Sequence, residues 1–259
     1  MPSTERDMTT EKEQQKKNIL RKEKQMTHTR QQRKTRKDKG VHQLTSRDCL
    51  MLTWIADQYA MRFDHVRELL SEHAEGQTKG ELLAIPTVQS KINKWVHAGW
   101  AKYRRWLADG PGWVWVTKQG LAQIGQDDYR ASPPSPTRLA HIYAVNAVRM
   151  QLDYDDWTSE RGLRADADCG SSKPIPDAVI TSHGKEIAIE VEISIKKPND
   201  LVEKMERLLP YYTFVHFYVP DAEGFRAVER ARDKLEGRRQ RRVAVYQIDL
   251  SRMPRSLDD

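Results

Sequence analysis

The segment "PDAVITSHGKEIAIEVEISIKK", Pro176 to Lys197, constrains the fold of this 259-residue chain more than any other, because apolar and polar residues alternate along it almost without a break. A period of two is the signature of a β-strand with unlike faces. Val179 to Thr181 and Ile187 to Ile195 are therefore expected strands, and Ser182-His183-Gly184-Lys185 between them is a turn of even length with Gly where positive φ is needed. With Ser182 opposite Lys185, Ile180 faces Ile187, Ala178 faces Ile189 and Asp177 faces Glu190. Opposed residues have Cβ atoms about 4.5 to 5.5 Å apart, and Glu192 shares the face of Glu190. One face carries Ile187, Ile189, Val191, Ile193 and Ile195; the other carries Glu186, Ala188, Glu190, Glu192, Ser194 and Lys196. Two readings follow. A half-buried antiparallel strand shows such alternation with its polar face in water. Alternatively, three carboxylates converge, and a cation relieves the repulsion between the directly opposed acids; oxygen ligands with room for water suit Mg²⁺.

The chain is long enough for two domains that each bury a core. It has no apolar run of membrane-spanning length and a polar, charged N-terminus, so a cytoplasmic protein without membrane association is expected. Cys49 and Cys169 lie far apart and support neither a disulfide framework nor a zinc site. Residues 1–40 hold 13 Lys and Arg against 6 Asp and Glu, which accounts for the whole net charge of +7. Such a segment has few apolar residues to bury and is expected to be a disordered basic arm, attracted to phosphates regardless of base sequence; a solubilising tail is the plainer alternative.

Globular composition begins at residue 41. "LTSRDCLMLTWIADQYA" has Leu50, Leu52, Trp54, Ile55 and Tyr59 at helical spacing behind a Thr45 or Ser46 cap. "RFDHVRELLSEH" is a second helix. "IPTVQSKINKWVHAGW" is a third, with Pro86 in its first turn, Val88, Ile92, Trp95 and Val96 on one face, and Gly99 at its end. Two strands around Asp109-Gly110-Pro111-Gly112 follow. Three helices and a hairpin predict a winged helix over 41–128, with the third helix in the major groove of double-stranded DNA and the hairpin on the backbone. Lys91, Lys94, Lys102, Arg104, Arg105 and Lys118 supply phosphate contacts, and Gln89, Ser90 and Asn93 face base edges. A winged helix used for dimerisation or partner binding is the alternative.

Residues 129–137, rich in proline, form an expected linker. From 138 to 250 the order αβββαβαβ predicts a mixed sheet flanked by helices, with Glu160 on a strand or loop in "DWTSERGLRADAD" and a short tail at 251–259. The fold class is thus α+β or α/β.

Pro176-Asp177 leading into a strand, with an acid pair on the next, resembles the PD-(D/E)xK nuclease superfamily. The winged helix together with "AHIYAVNAVRMQL", "WTSERGLR", "PDAVI", "IAIEVEIS", Lys204 and Tyr211 or Tyr212 resembles the replication-relaxation family of plasmids and integrative mobile elements over roughly 42 to 250. The resemblance implies a restriction-endonuclease-like second domain in which Asp177 and Glu190 hold Mg²⁺. It implies a lysine at the position of Glu192, which is absent. Lys196 lies on the same face roughly 13 Å from Glu192 at about 3.3 Å per residue, too far to substitute, whereas Lys204 on the following helix is a candidate migrated lysine. Glu160 matches an early acidic position. Three functions follow in order: a DNA-binding replication or mobilisation factor with a degenerate nuclease-like domain, working with replication or conjugation proteins of the same element; an active Mg²⁺-dependent endonuclease or nickase; a transcriptional regulator whose second domain senses or forms a homodimer.

Overall fold

Thr45 opens the first helix with a capping box: its hydroxyl accepts from Asp48 N, and the Asp48 carboxylate accepts from Thr45 N, so two donors that a helix end leaves open are satisfied reciprocally. The computed structural model describes residues 43–250, apart from 77, 79, 107–109, 153–155, 168–171 and 195. The expected arm, the tail, Asp109, Cys169 and Ile195 lie outside the described residues.

Helix α1 (Ser46–Asp57) is followed by β1 (Met61–Arg62), α2 (Phe63–Glu72) and α3 (Ile85–His97). Pro86 stands in the first turn of α3, and Gly99 ends it with φ of 75°, a left-handed conformation that glycine adopts without a Cβ clash. Then come β2 (Ala101–Arg104), β3 (Trp113–Val116) and α4 (Lys118–Gln123). The hairpin β2–β3 is antiparallel with Ala101 opposite Val116, and β1 adds to the other edge of β3. A two-residue strand has no readable alternation, so β1 was not expected. Leu52, Ile55, Val66, Leu69, Val88, Ile92 and Trp95 form the core of this half. Val96 is 38% exposed, because the buried stripe of α3 runs through Val88, Ile92 and Trp95 at i, i+4 and i+7, and the next residue turns off it.

A 3₁₀ turn (Pro136–Arg138) leads into α5 (Leu139–Leu152), β4 (Trp157–Ser159), α6 (Glu160–Asp166), β5 (Ala178–Ser182), β6 (Lys185–Val191), α7 (Pro198–Leu208), β7 (Phe214–Val219), α8 (Ala222–Arg232) and β8 (Val243–Gln247). Helix α6 replaces the expected strand or loop at Glu160. The sheet order is β4-β5-β6-β7-β8. The pairs β4–β5 and β5–β6 are antiparallel, while β6–β7 and β7–β8 are parallel. The β5–β6 register is the expected one, from Ser182 opposite Lys185 to Ala178 opposite Ile189. His183 joins Gly184 at positive φ, 50° and 73°, as a two-residue turn matched to strand twist requires.

The face of β6 that carries Ala188 and Glu190 is not solvated. Each parallel crossover needs a helix, and α7 and α8 lie on that face: Leu201, Met205, Leu208, Ala227 and Val228 pack with Val179, Ala188, Val215 and Phe217. On the opposite face Ala144, Val145 and Val148 of α5 cover Ile180, Ile187, Ile189 and Val191. Strand β6 is therefore buried on both sides.

Helix α5 also backs onto the first half of the chain, where Leu139, Ile142 and Tyr143 pack with Ala60, Trp113 and Trp115. Asn146, wholly buried, donates to Ala60 O at 3.0 Å. Within the expected linker, Tyr129 donates to Asp57 Oδ1 at 3.2 Å and Arg130 O accepts from Arg161 at 2.7 Å. The chain from Leu44 onward is one compact unit of mixed α and β structure. Among the described residues no helix is long and apolar enough to cross a membrane.

Candidate functional site

Asp177 stands immediately before β5, one step beyond the Ala178–Ile189 pair, so it lies beside Glu190 of β6. Glu190 is 3% exposed and Glu192 6%. Carboxylates so enclosed need partners, since an uncompensated charge in a low-dielectric interior is costly. Each has one. His141 of α5 places Nε2 2.8 Å from Asp177 Oδ1, while Asp177 Oδ2 accepts from Val191 N at 2.8 Å. Lys204 of α7 places Nζ 2.5 Å from Glu190 Oε2 and 4.0 Å from Glu192 Oε2. Ser194 donates to Glu192 Oε1 at 3.0 Å. Lys196 Nζ approaches Glu192 Oε2 to 2.6 Å, an ion pair by distance, although that oxygen receives no directed hydrogen bond.

The position of Lys196 corrects the sequence expectation. The separation of roughly 13 Å assumed that the strand runs on. Pairing stops at Val191, the chain bends at Ser194, and Lys196 folds back onto Glu192.

These contacts divide the carboxyls into two kinds. Burial pushes Asp177 up, but the hydrogen bond and charge of His141, with Lys204 behind them, hold it below the usual carboxylate range. Burial and then the Asp177 charge push Glu190 up to about 8, and Lys204 offsets only part of this. Burial acts to lower Lys204 and His141, yet Glu190 with Asp177 raises the first and Asp177 raises the second. Both shifts favour the charged form of these side chains.

Three carboxylates were expected to converge on an ion. Among the described residues, no three His, Cys, Asp or Glu side chains are gathered so as to hold one. Asp177 and Glu190 lie together, whereas Glu192 is engaged by Lys196 and Ser194. The remaining pair still fits Mg²⁺, which needs only one or two carboxylates beside water and phosphate oxygens. The raised proton affinity of Glu190 comes first from burial and then from the Asp177 charge, and a cation beside the pair would offset the second.

Glu160 begins α6, and its N–H donates to Asp177 O at 2.8 Å. Its carboxylate is held by Arg138 at 2.9 Å and by Arg164 at 2.8 Å. Of the resemblance tyrosines, Tyr212 is buried and donates to Pro174 O at 3.0 Å, and Tyr211 is exposed.

In the first half, Ser90, Asn93 and Lys94 are exposed on α3, as are Lys102, Arg104, Arg105 and Lys118 around the hairpin. Gln89 donates its amide to Asn93 at 3.1 Å. Lys91 is the exception. Its Nζ lies 2.5 Å from the buried Asp48 Oδ1, which also accepts from Trp95 Nε1 at 2.7 Å. Lys91 lies three residues after Val88 and four before Trp95, on the rim of the buried stripe, so it turns inward to the acid that Trp95 also reaches.

His141, Arg138 and Arg164 were not singled out from the sequence. The helix around His141 reads as an apolar repeat, and its partner lies 36 positions away. Arg164 did have a local signal, the i, i+4 spacing from Glu160. Comparison of the chain with protein-family profiles, with curated proteins and with solved structures finds no match in any of the three.

Proposed function

We propose that this chain is a double-stranded-DNA-binding replication or mobilisation factor of a plasmid or integrative element, in which a winged-helix half reads duplex and a nuclease-like half acts as a binding platform. The observation that carries this reading is the internal compensation of the acidic cluster: His141, Lys204 and Lys196 stand at 2.8, 2.5 and 2.6 Å from Asp177, Glu190 and Glu192. Side-chain cations do there what an ion would do in an active nuclease. The exposed polar face of α3 and the basic hairpin support duplex contact. To test it, purified protein is incubated with supercoiled and linear plasmid DNA, with Mg²⁺ or with EDTA, and binding and strand scission are scored together. Retarded, uncut DNA under both conditions is expected; absence of any complex at low salt would sink the reading.

Lys204 favours a second reading, an active Mg²⁺-dependent endonuclease or nickase. It touches Glu190 from the neighbouring helix, as a migrated lysine would. Asp177 and Glu190 would hold Mg²⁺, which when bound supplies Lewis-acid polarisation of a phosphate oxygen. Lys204 would then orient water or the phosphate. Scission that requires Mg²⁺ and disappears in Lys204→Ala selects this reading.

A further inference from the structure

We infer that Arg138 and Arg164, held across Glu160, form a phosphate-binding subsite beside the Asp177–Glu190 pair. Glu160 Oε2 accepts from Arg138 Nη2 at 2.9 Å, and Oε1 accepts from Arg164 Nε at 3.0 Å and Nη2 at 2.8 Å. One carboxylate thus sits between two guanidinium groups, leaving one positive charge in excess. Exposure is unequal. The Glu160 side chain is 17% exposed, against 44% for Arg138 and 58% for Arg164, so the anion is enclosed and the cations are presented to solvent.

The position of the pair follows from the backbone. Arg138 closes the 3₁₀ turn before α5, Arg164 lies one helical turn after Glu160, and the Glu160 N–H anchors the group to Asp177 O at 2.8 Å. Tyr59, Arg138, His141, Glu160 and Asp177 line one hollow. The Arg138 guanidinium also lies 5.0 Å from the centre of the Tyr59 ring, which limits how it can turn.

Glu160 is thereby recast. An acid whose two oxygens are both taken by guanidinium groups is their counter-charge, not a ligand for an ion. One guanidinium suffices to neutralise the enclosed Glu160 carboxylate, so the second is in excess of what that anion requires. Guanidinium forks do match phosphate oxygens, with paired N–H donors at fixed spacing. A phosphate at this place would lie next to Asp177. The inference rests on the DNA-binding reading for what carries the phosphate.

The full chain is tested in two arms, against inorganic phosphate by ³¹P NMR titration and against duplex DNA by the salt dependence of binding. Arg138→Gln with Arg164→Gln is expected to weaken phosphate binding by about tenfold or more and to flatten the DNA salt slope by roughly two units. Glu160→Gln keeps both arginines and removes their counter-charge, so phosphate binding should be retained or strengthened. Unchanged phosphate affinity and slope in the double variant overturn the inference, as does a loss in Glu160→Gln equal to that of the double variant. Should the Gln pair fail to fold, Arg138→Lys with Arg164→Lys carries the test. That variant keeps the charge and loses the forks, so phosphate affinity should fall several-fold; no change there overturns the inference too. DNA binding with an unaltered slope sinks the subsite alone, phosphate binding without DNA binding sinks the DNA reading alone, and a wild type that binds neither sinks both.

Discussion

Glu190 is enclosed on a central strand with Asp177 on one side and Lys204 on the other, and its folded-state proton affinity is raised to about 8 from an ordinary value of 4.5. Between those two values the native chain binds more protons than the unfolded one, so this group's contribution to stability falls as pH rises from about 4.5 to about 8. Asp177 has the opposite sign. Its affinity is lowered, so the stability it contributes is present above its ordinary value and is lost as pH falls through the folded one. Glu190→Gln should therefore raise the melting temperature relative to wild type progressively from pH 5 to pH 8, with a gain on the order of a few kcal/mol at the upper end. Asp177→Asn should destabilise at pH 7, by an amount that shrinks as pH falls below the ordinary value of Asp177. Thermal melts across pH check both, and curves parallel to wild type for both variants would show that the cluster is not electrostatically coupled.

Helix α3 carries two lysines in opposite settings. Lys94 is exposed beside Ser90 and Asn93, while Lys91 is bound to Asp48 beneath the helix. Removing Lys91 leaves Asp48 with Trp95 and Thr45 alone, an acid held below its ordinary proton affinity by contacts that include the lysine. Lys91→Ala is expected to cost about 1 to 3 kcal/mol of stability and to leave the salt dependence of DNA binding unchanged. Lys94→Ala with Arg105→Ala should do the reverse, flattening the slope by roughly two units at little cost in melting temperature. Melting curves and salt titrations on the two variants decide it; equal effects of both on the slope would mean that Lys91 leaves Asp48 to meet the duplex.

Across the whole unit, α5 is the shared wall between the small sheet and the large one. Arg149, 8% exposed, reaches from it to Asp57 Oδ2 at 3.2 Å, with its guanidinium 3.9 Å from the centre of the Trp54 ring. Arg161 donates to Ala56 O at 2.5 Å and to Arg130 O at 2.7 Å. Asp57 also accepts from Gln126 and Tyr129 at 3.2 Å. Buried polar groups of this kind are costly to separate, so the two halves should unfold together. Calorimetry is expected to show one transition for the unit, and Arg149→Ala, which leaves Asp57 to Gln126 and Tyr129, should lower stability by about 1 to 3 kcal/mol. Two resolved transitions in wild type would refute a shared core.

What this sequence determines by itself is what short-range sterics and hydrogen bonds decide. The two-residue turn at His183-Gly184 and the alternation on either side set the β5–β6 register to the residue, and hence the neighbourhood of Asp177 and Glu190. Pro86, Gly99 and the Thr45–Asp48 box likewise mark helix ends from adjacent residues alone. Period two says which side chains share a face but not what covers that face. Only the parallel crossovers that lay α7 and α8 over β6 turned a polar stripe into a buried cluster. Nor does alternation say where a strand stops, which is how Lys196 came to lie against Glu192 instead of far along the same face. His141 on Asp177 and Lys204 on Glu190 bring together groups distant along the chain, and charge pairing inside a protein depends on distance in space and on exclusion of water. Both quantities exist only once the helices have packed onto the sheet.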